Sequence, residues 1–520
     1  MANPQPTALA EALTGDNFVD ATTSGYRWVL DASRTVDWSI SNGFNGEYWL
    51  DPAYTVNVIG TALSTISRFA NINFNYVGTF STPTAAAGAG SEMNVSLAGN
   101  EVFTSSSVYA VGFFPSASNN DTYTGAPGDG FLNVDSPAND LPFTIGSSGW
   151  ALLLHELGHT LGLKHPHDSA GTGRPTFNQV NSTEFDREWY SVMSYHDDRP
   201  WNQLQWHPET PMVIDVLALQ YLYGKNMAAS PEDTVYQLAS SSSYATLWDA
   251  GGHDMLTAAG SAVGWYIYLP DDQVSALIDT LIGLAAPLAE IDHPSPSTLY
   301  WLTGDLENAT GSAQGDVIVG SRHNNQIFGE FGADTIEGWG GEDFLRGGHG
   351  DDMMWGGDAW DYMHGNIGND TLHGEDGGDW VVGGQNSDLL FGDAGDDYIV
   401  ANLGADTCYG GEGRDTALGG QADDLLIGEA GDDYLSGDLG SDTLTGGVGA
   451  DRFNFFAGAG VDRVTDFNVA EGDWISLQGG GAYTLAQQGA DAVLSMAGGG
   501  QLILVGVTVS SIPAGSIVAA

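Results

Sequence analysis

Residues 155–165 read His155-Glu156-Leu157-Gly158-His159-Thr160-Leu161-Gly162-Leu163-Lys164-His165. On a helix, His155 and His159 lie four apart on one face, so both imidazoles can reach one metal. Gly162 can end the helix in the left-handed conformation and turn the chain back. That brings His165 to the same ion. Three neutral imidazoles leave a fourth position open for water, the mark of a catalytic rather than a structural zinc site. Glu156, beside the first of them, is placed to accept a proton from that water and to deliver it to a leaving amine. A bare His-Glu-x-x-His is common by chance. Gly162 and His165 at fixed offsets make the pattern specific, and an ordinary helix with surface histidines would not require them.

A second piece lies about thirty residues on, Ser191-Val192-Met193-Ser194-Tyr195. Alone, Met193 would read as core filler. Beside the long histidine motif it resembles the Met-turn beneath the zinc of metzincins. Tyr195, two residues further, would bring a phenol to the metal or to the developing oxyanion; the plainer reading is a buried aromatic beside the turn. The elements that must carry these residues are partly readable. Ser147 or Ser148 caps a helix running from Trp150 to Leu161. Val56 to Ala70 forms another helix, and Val108 to Phe114 reads as a strand.

From Gly311 to Asn454 the chain repeats every nine residues, sixteen times. Position one is Gly in fifteen units, the exception being Ala401, and position six is Asp in fifteen, the exception being Asn325. Position eight is apolar in all sixteen, and position four is mostly Gly. Glycines permit tight turns. A short strand around position eight points one apolar side chain inward. Two units make one coil, and stacked coils bury an apolar column. The carboxylates of units n and n+2 then face each other and repel unless a hard cation lies between them, which suits Ca²⁺. The pattern resembles the nonapeptide repeat of calcium-binding β-rolls. A flexible acidic linker would have no reason to keep position eight in phase. The calcium-binding aspartates expected are Asp334, Asp343, Asp352, Asp361, Asp370, Asp379, Asp388, Asp397, Asp406, Asp415, Asp424, Asp433, Asp442 and Asp451. Asn386, Ala401 and Ala422 depart from glycine on one side of the roll, where weaker or missing calcium sites are expected.

Together, the long zinc motif, the Met-Ser-Tyr turn and the repeats resemble the serralysin family of secreted bacterial metalloproteases. Further stretches agree: Leu219-Gln220-Tyr221-Leu222-Tyr223-Gly224, Thr246-Leu247-Trp248-Asp249-Ala250-Gly251-Gly252, and Asp462-Arg463-Val464-Thr465-Asp466-Phe467 with Asp473-Trp474-Ile475-Ser476-Leu477. The resemblance implies an α+β zincin-like protease domain followed by an all-β parallel β-roll. It implies an N-terminal extension at 1–21, a metzincin catalytic domain at 22–240, a bridging segment at 241–310, the roll at 311–454, and a β cap with the secretion signal at 455–520. One zinc would be held by His155, His159, His165 and, in the resting enzyme, Tyr195. Tyr195 would then swing away to stabilise the tetrahedral intermediate, with Glu156 as general base and then acid. Several Ca²⁺ ions would be structural. The substrates would be protein chains, cut internally, with the strand near Val108 to Phe114 as the cleft edge. Export would use type I secretion, and the protein would be an extracellular monomer. Residues 264–300 depart from the family pattern. The C-terminus, Ile517-Val518-Ala519-Ala520, lacks the acidic and hydrophobic tail often seen.

Composition bounds the alternatives. The 520 residues carry 13 Lys+Arg and 67 Asp+Glu, a formal net charge of −54. That excludes nucleic acid bound through a basic face, and disfavours anionic membranes. The only Cys, Cys408, lies in the repeats, which excludes a disulfide framework and a cysteine switch. The longest apolar run, Leu281 to Ala289, is too short to span a bilayer. The competing reading is a calcium-dependent surface or adhesion protein with a vestigial zinc site. A further one is a metzincin of narrow specificity.

Overall fold

The computed structural model describes residues 3–6, 24, 26–30, 32–43, 47–98, 110–112, 130–133, 143–166, 191–194, 207–239, 244–271, 282–290 and 297–519. Its first part is mixed α and β. Five strands form one sheet: Thr35–Ser41 (β1), Asn73–Phe80 (β2), Met93–Ala98 (β3), Ala110–Gly112 (β4) and Gly130–Asn133 (β5). Their order is β2-β1-β3-β5-β4, all parallel except β4, which runs antiparallel to β5 at the edge.

Helix α1, Pro52–Phe69, starts earlier than periodicity alone suggests. The Asp51 side chain accepts from the Tyr54 N–H at 3.0 Å and Pro52 opens the first turn, two start signals that hydrophobic spacing cannot register. A short helix, Pro83–Gly88 (α2), follows β2. Helix α3, Ser148–Thr160, is capped by Ser147, whose Oγ accepts from the Trp150 N–H at 3.2 Å. Every residue from Gly149 to Thr160 is buried, so α3 is the central helix of this part. Helix α4, Val213–Tyr223, packs into the same core through Val213, Ile214, Ala218, Leu219 and Leu222.

The second part is a parallel β-solenoid. Residues pair with the residue eighteen further on, as in Ile336 with Met354 and Leu345 with Met363, so two nine-residue units make one coil. Alternate units feed two facing sheets. All sixteen position-eight side chains, Ile318 through Phe453, are 0% exposed. Each buried Leu or Ile stabilises by roughly 1.5–3 kcal/mol, which makes this column the core of the roll. Both sheets start before the first repeat. Strands Val235–Gln237, Met255–Thr257 and Asn308–Thr310 already stack in parallel beneath Gln326–Phe331.

Ahead of the repeats, where residues 264–300 depart from the family pattern, the described residues form an antiparallel excursion through Trp265–Tyr268, Gly283–Pro287 and Leu299–Gly304. Ile282, Ala286, Leu299 and Trp301 join the hydrophobic cluster that holds α3 and α4. The excursion therefore joins the roll to the α/β part. At the far end, Tyr483–Gln488, Asp491–Met496 and Gln501–Leu504 form an antiparallel meander on the last coil. No helix among the described residues is long and apolar enough to cross a membrane.

Candidate metal centre

Helix α3 ends in a glycine stop. Leu163 N–H donates to Gly158 O at 2.9 Å and Gly162 N–H to His159 O at 3.0 Å. These are the two bonds of a Schellman motif, with Gly162 at φ +100°. The chain reverses there and carries His165 back against the helix. His165 Nε2 then lies 3.1 Å from His155 Nε2 and 3.0 Å from His159 Nε2. His155 is 0% and His159 7% exposed.

The other ring nitrogens set the tautomers. His155 Nδ1 meets Val192 O at 2.7 Å and His159 Nδ1 meets Leu163 O at 2.9 Å. A carbonyl oxygen only accepts, so both Nδ1 atoms carry the hydrogen. Their Nε2 lone pairs are left facing each other and His165. Two lone pairs this close repel unless a cation, or a hydrogen on His165 Nε2, lies between them. Zn–N bonds of 2.0–2.1 Å place tetrahedral ligand atoms about 3.3 Å apart, close to the separations seen. Among the described residues, this is the one group of three His, Cys, Asp or Glu side chains close enough to hold one ion.

Glu156 is buried beside this cluster, and its Oε2 has no hydrogen-bond partner. Burial pushes its carboxyl up to about 8, opposed by a hydrogen bond from the Gly112 N–H on edge strand β4. A proton-accepting group held near neutrality beside an imidazole cluster is suited to general base and acid work. A neighbouring metal cation would pull its pKa back down.

Met193 is fully buried beneath the helix. It fills a notch left by Gly158, where a Cβ would come within 2.6 Å of its Sδ. Tyr195 lies outside the described residues, as do the ends of the Val108 to Phe114 strand. The sequence reading missed Gly112 and Asp215. Asp215, on α4, takes hydrogen bonds from Ser191 Oγ and the Val192 N–H. Burial pushes its carboxyl up to about 7 against the pull of these donors.

The repeat aspartates form two continuous ladders. From Asp334 through Asp433, the N–H of each donates to Oδ1 of the Asp eighteen residues on, as from Asp334 to Asp352 at 2.9 Å and from Asp343 to Asp361 at 2.8 Å. Oδ2 is buried and unpartnered in all fourteen, Asp334 to Asp451. Burial raises every one of these carboxyls, with Asp343, Asp352, Asp388, Asp397 and Asp424 up to about 8. An orphaned carboxylate oxygen in a column is what a hard cation would satisfy. The sequence reading missed the upper ends of both ladders. Asp442 donates to Asp462 and Asp451 to Asp473. Spacings of 20 and 22 residues there break the period of eighteen.

Residues between 310 and 464 match the family of the RTX calcium-binding nonapeptide repeat, in overlapping segments from 310–345 to 437–464. Serralysin G of Dickeya chrysanthemi is 31% identical over 221 residues, 38% of this chain and 42% of that protein. Metallopeptidase AprA of Pseudomonas marginalis is 32% identical over 227 residues, 39% of this chain and 44% of that one. Serralysin of Photorhabdus laumondii is 27% identical over 306 residues, 54% of this chain and 52% of that one. The chain thus spans less than half the length of the first two relatives. By these matches the chain is a relative of the serralysins that carries an RTX calcium-binding repeat region.

Proposed function

We propose that this chain is a secreted zinc endopeptidase whose calcium-dependent roll serves folding and export. The observation that carries the reading is the convergence of three imidazole Nε2 atoms beside the buried Glu156 carboxyl. His155, His159 and His165 would hold the zinc, with Tyr195 as a fourth ligand at rest. When bound, the zinc would act as a Lewis acid toward water and a substrate carbonyl. Glu156 takes a proton from the attacking water and passes it to the leaving amine nitrogen. Gly112, through its N–H, holds that carboxyl in place. Strand β4, at the sheet edge beside α3, offers backbone groups to an extended peptide, which would add as a further strand. Met193, packed against the same helix at Gly158, would form the floor beneath the histidines.

The protease unit would occupy residues 22–240, the bridge 241–310, the roll 311–454 and the cap 455–520. The fourteen repeat aspartates would share Ca²⁺ ions between coils. The protein would act outside a bacterial cell as a monomer, exported by a type I system.

The test is Glu156→Ala. The zinc-loaded variant should cleave a denatured protein at least about 10²- to 10⁴-fold more slowly than the parent, with its zinc content unchanged. Parent-like cleavage by the variant contradicts the mechanism. A zinc-loaded parent that cleaves nothing favours the adhesion reading instead.

A further inference from the structure

We propose that Asp215 is a positioning residue for His155, acting through a directed hydrogen-bond relay across the turn at Ser191–Ser194. The inference rests on the zinc reading above. His155 Nδ1–H donates to Val192 O at 2.7 Å. That carbonyl belongs to the same peptide group as the Met193 N–H, which donates to Ser191 Oγ at 3.0 Å. The Ser191 hydroxyl in turn donates to Asp215 Oδ1 at 2.6 Å. Every link runs the same way, from imidazole to peptide to hydroxyl to carboxylate. Hydrogen bonds aligned like this polarise one another. The negative end makes Val192 O a stronger acceptor, and so makes the Nε2 of His155 a better electron donor.

The carboxylate is itself held. Asp215 Oδ2 accepts from the Val192 N–H at 2.7 Å and the Met212 N–H at 3.0 Å. Asp215, Ser191 and His155 are each 0% exposed, so the relay works without competition from water. A metal-bound histidine commonly gives its second ring N–H to a carboxylate or a backbone carbonyl. Here the carboxylate lies three links away, on a different helix, and the turn transmits its charge. Helix α4 thereby sets both the height of the turn and the basicity of one imidazole.

The experiment uses the full calcium-loaded chain and reads zinc affinity by competition with a chromophoric chelator. It also reads the visible spectrum of the Co²⁺-substituted protein. Asp215→Asn and Ser191→Ala should each weaken zinc binding by about 10- to 100-fold and shift the Co²⁺ bands. Leu219→Ala, on the same helix but outside the relay, should lower the melting temperature and leave both readouts at parent values. Asp215→Asn and Ser191→Ala that bind zinc like the parent, with an unchanged Co²⁺ spectrum, overturn the proposal. Where Asp215→Asn does not fold, Ser191→Ala decides alone, because it removes the hydroxyl link and leaves the carboxylate its backbone donors. A parent chain that binds no zinc is a different result and overturns the proposed function itself.

Discussion

Gly112 and Gly158 each leave room that a methyl group would fill, but the neighbours differ. A Cβ on Gly112 would lie 2.3 Å from the Glu156 carbonyl oxygen and 2.8 Å from His159 Cβ. Neither can yield, so strand β4 would have to lift from α3 and lose its hydrogen bond to Glu156. Gly112→Ala should therefore reduce kcat/KM at least about tenfold, since small displacements of positioning groups cost that much or more. A Cβ on Gly158 meets only the Met193 thioether at 2.6 Å, a side chain that adapts its shape. Overpacking there costs about 1–3 kcal/mol, partly offset by about 1 kcal/mol of helix propensity. Gly158→Ala should lower the melting temperature by a few degrees and keep most of the activity. Equal losses from the two variants, in the same steady-state and melting assays, would contradict this geometry. His155 and His159 were legible because helix spacing brings them together, and His165 because Gly162 marks where the helix stops and the chain turns back. Gly112 and Asp215 were not, because only the folded sheet and helix α4 carry them to the same place.

At the scale of elements, the roll shows where its sequence strains it. Ala359, Asn386 and Ala422 occupy position four with φ of +86°, +83° and +85°, where most units have glycine. A left-handed residue with a Cβ costs about 1–2 kcal/mol. Ala422→Gly should raise the thermal midpoint of the calcium-loaded roll and lower the calcium concentration at which it folds. A calcium titration in which Ala422→Gly needs more Ca²⁺ than the parent would refute that. The period of the repeat could be read because one apolar side chain per nine residues must enter a two-sided column. The ladder ends at Asp462 and Asp473 could not, because two- and four-residue insertions displace them from the period while the structure keeps them in register. The start of α1 was missed for a related reason. Its cap and proline precede the hydrophobic stripe.

At the scale of the whole molecule, charge governs. Of the net −54, residues 311–454 hold 29 acidic and 4 basic side chains, a net of −25. Calcium between the coils would cancel much of that share, and its removal should unfold the roll. Circular dichroism in chelator should lose strand signal that returns in millimolar Ca²⁺, and identical spectra would contradict this. Without calcium, pH should take over part of that role. The buried ladder carboxyls are raised, several to about 8, so the folded roll holds protons that an unfolded chain releases near pH 4. Stability from this source is greatest at low pH and is lost as pH rises through about 8. In chelator, strand content should therefore be higher near pH 5 than near pH 9, and a rise with pH would show the sign to be wrong.

On the proposed reading, one chain pairs a site for a single nitrogen-bound ion with a column of sites for many oxygen-bound ones. The metal content of the purified full-length chain tests that pairing most directly. Elemental analysis should find zinc near one per chain, lost when His155, His159 and His165 are replaced together, and calcium at roughly ten or more per chain. A chain that retains its zinc without those three histidines, or that folds its roll with no calcium bound at neutral pH, would contradict the account.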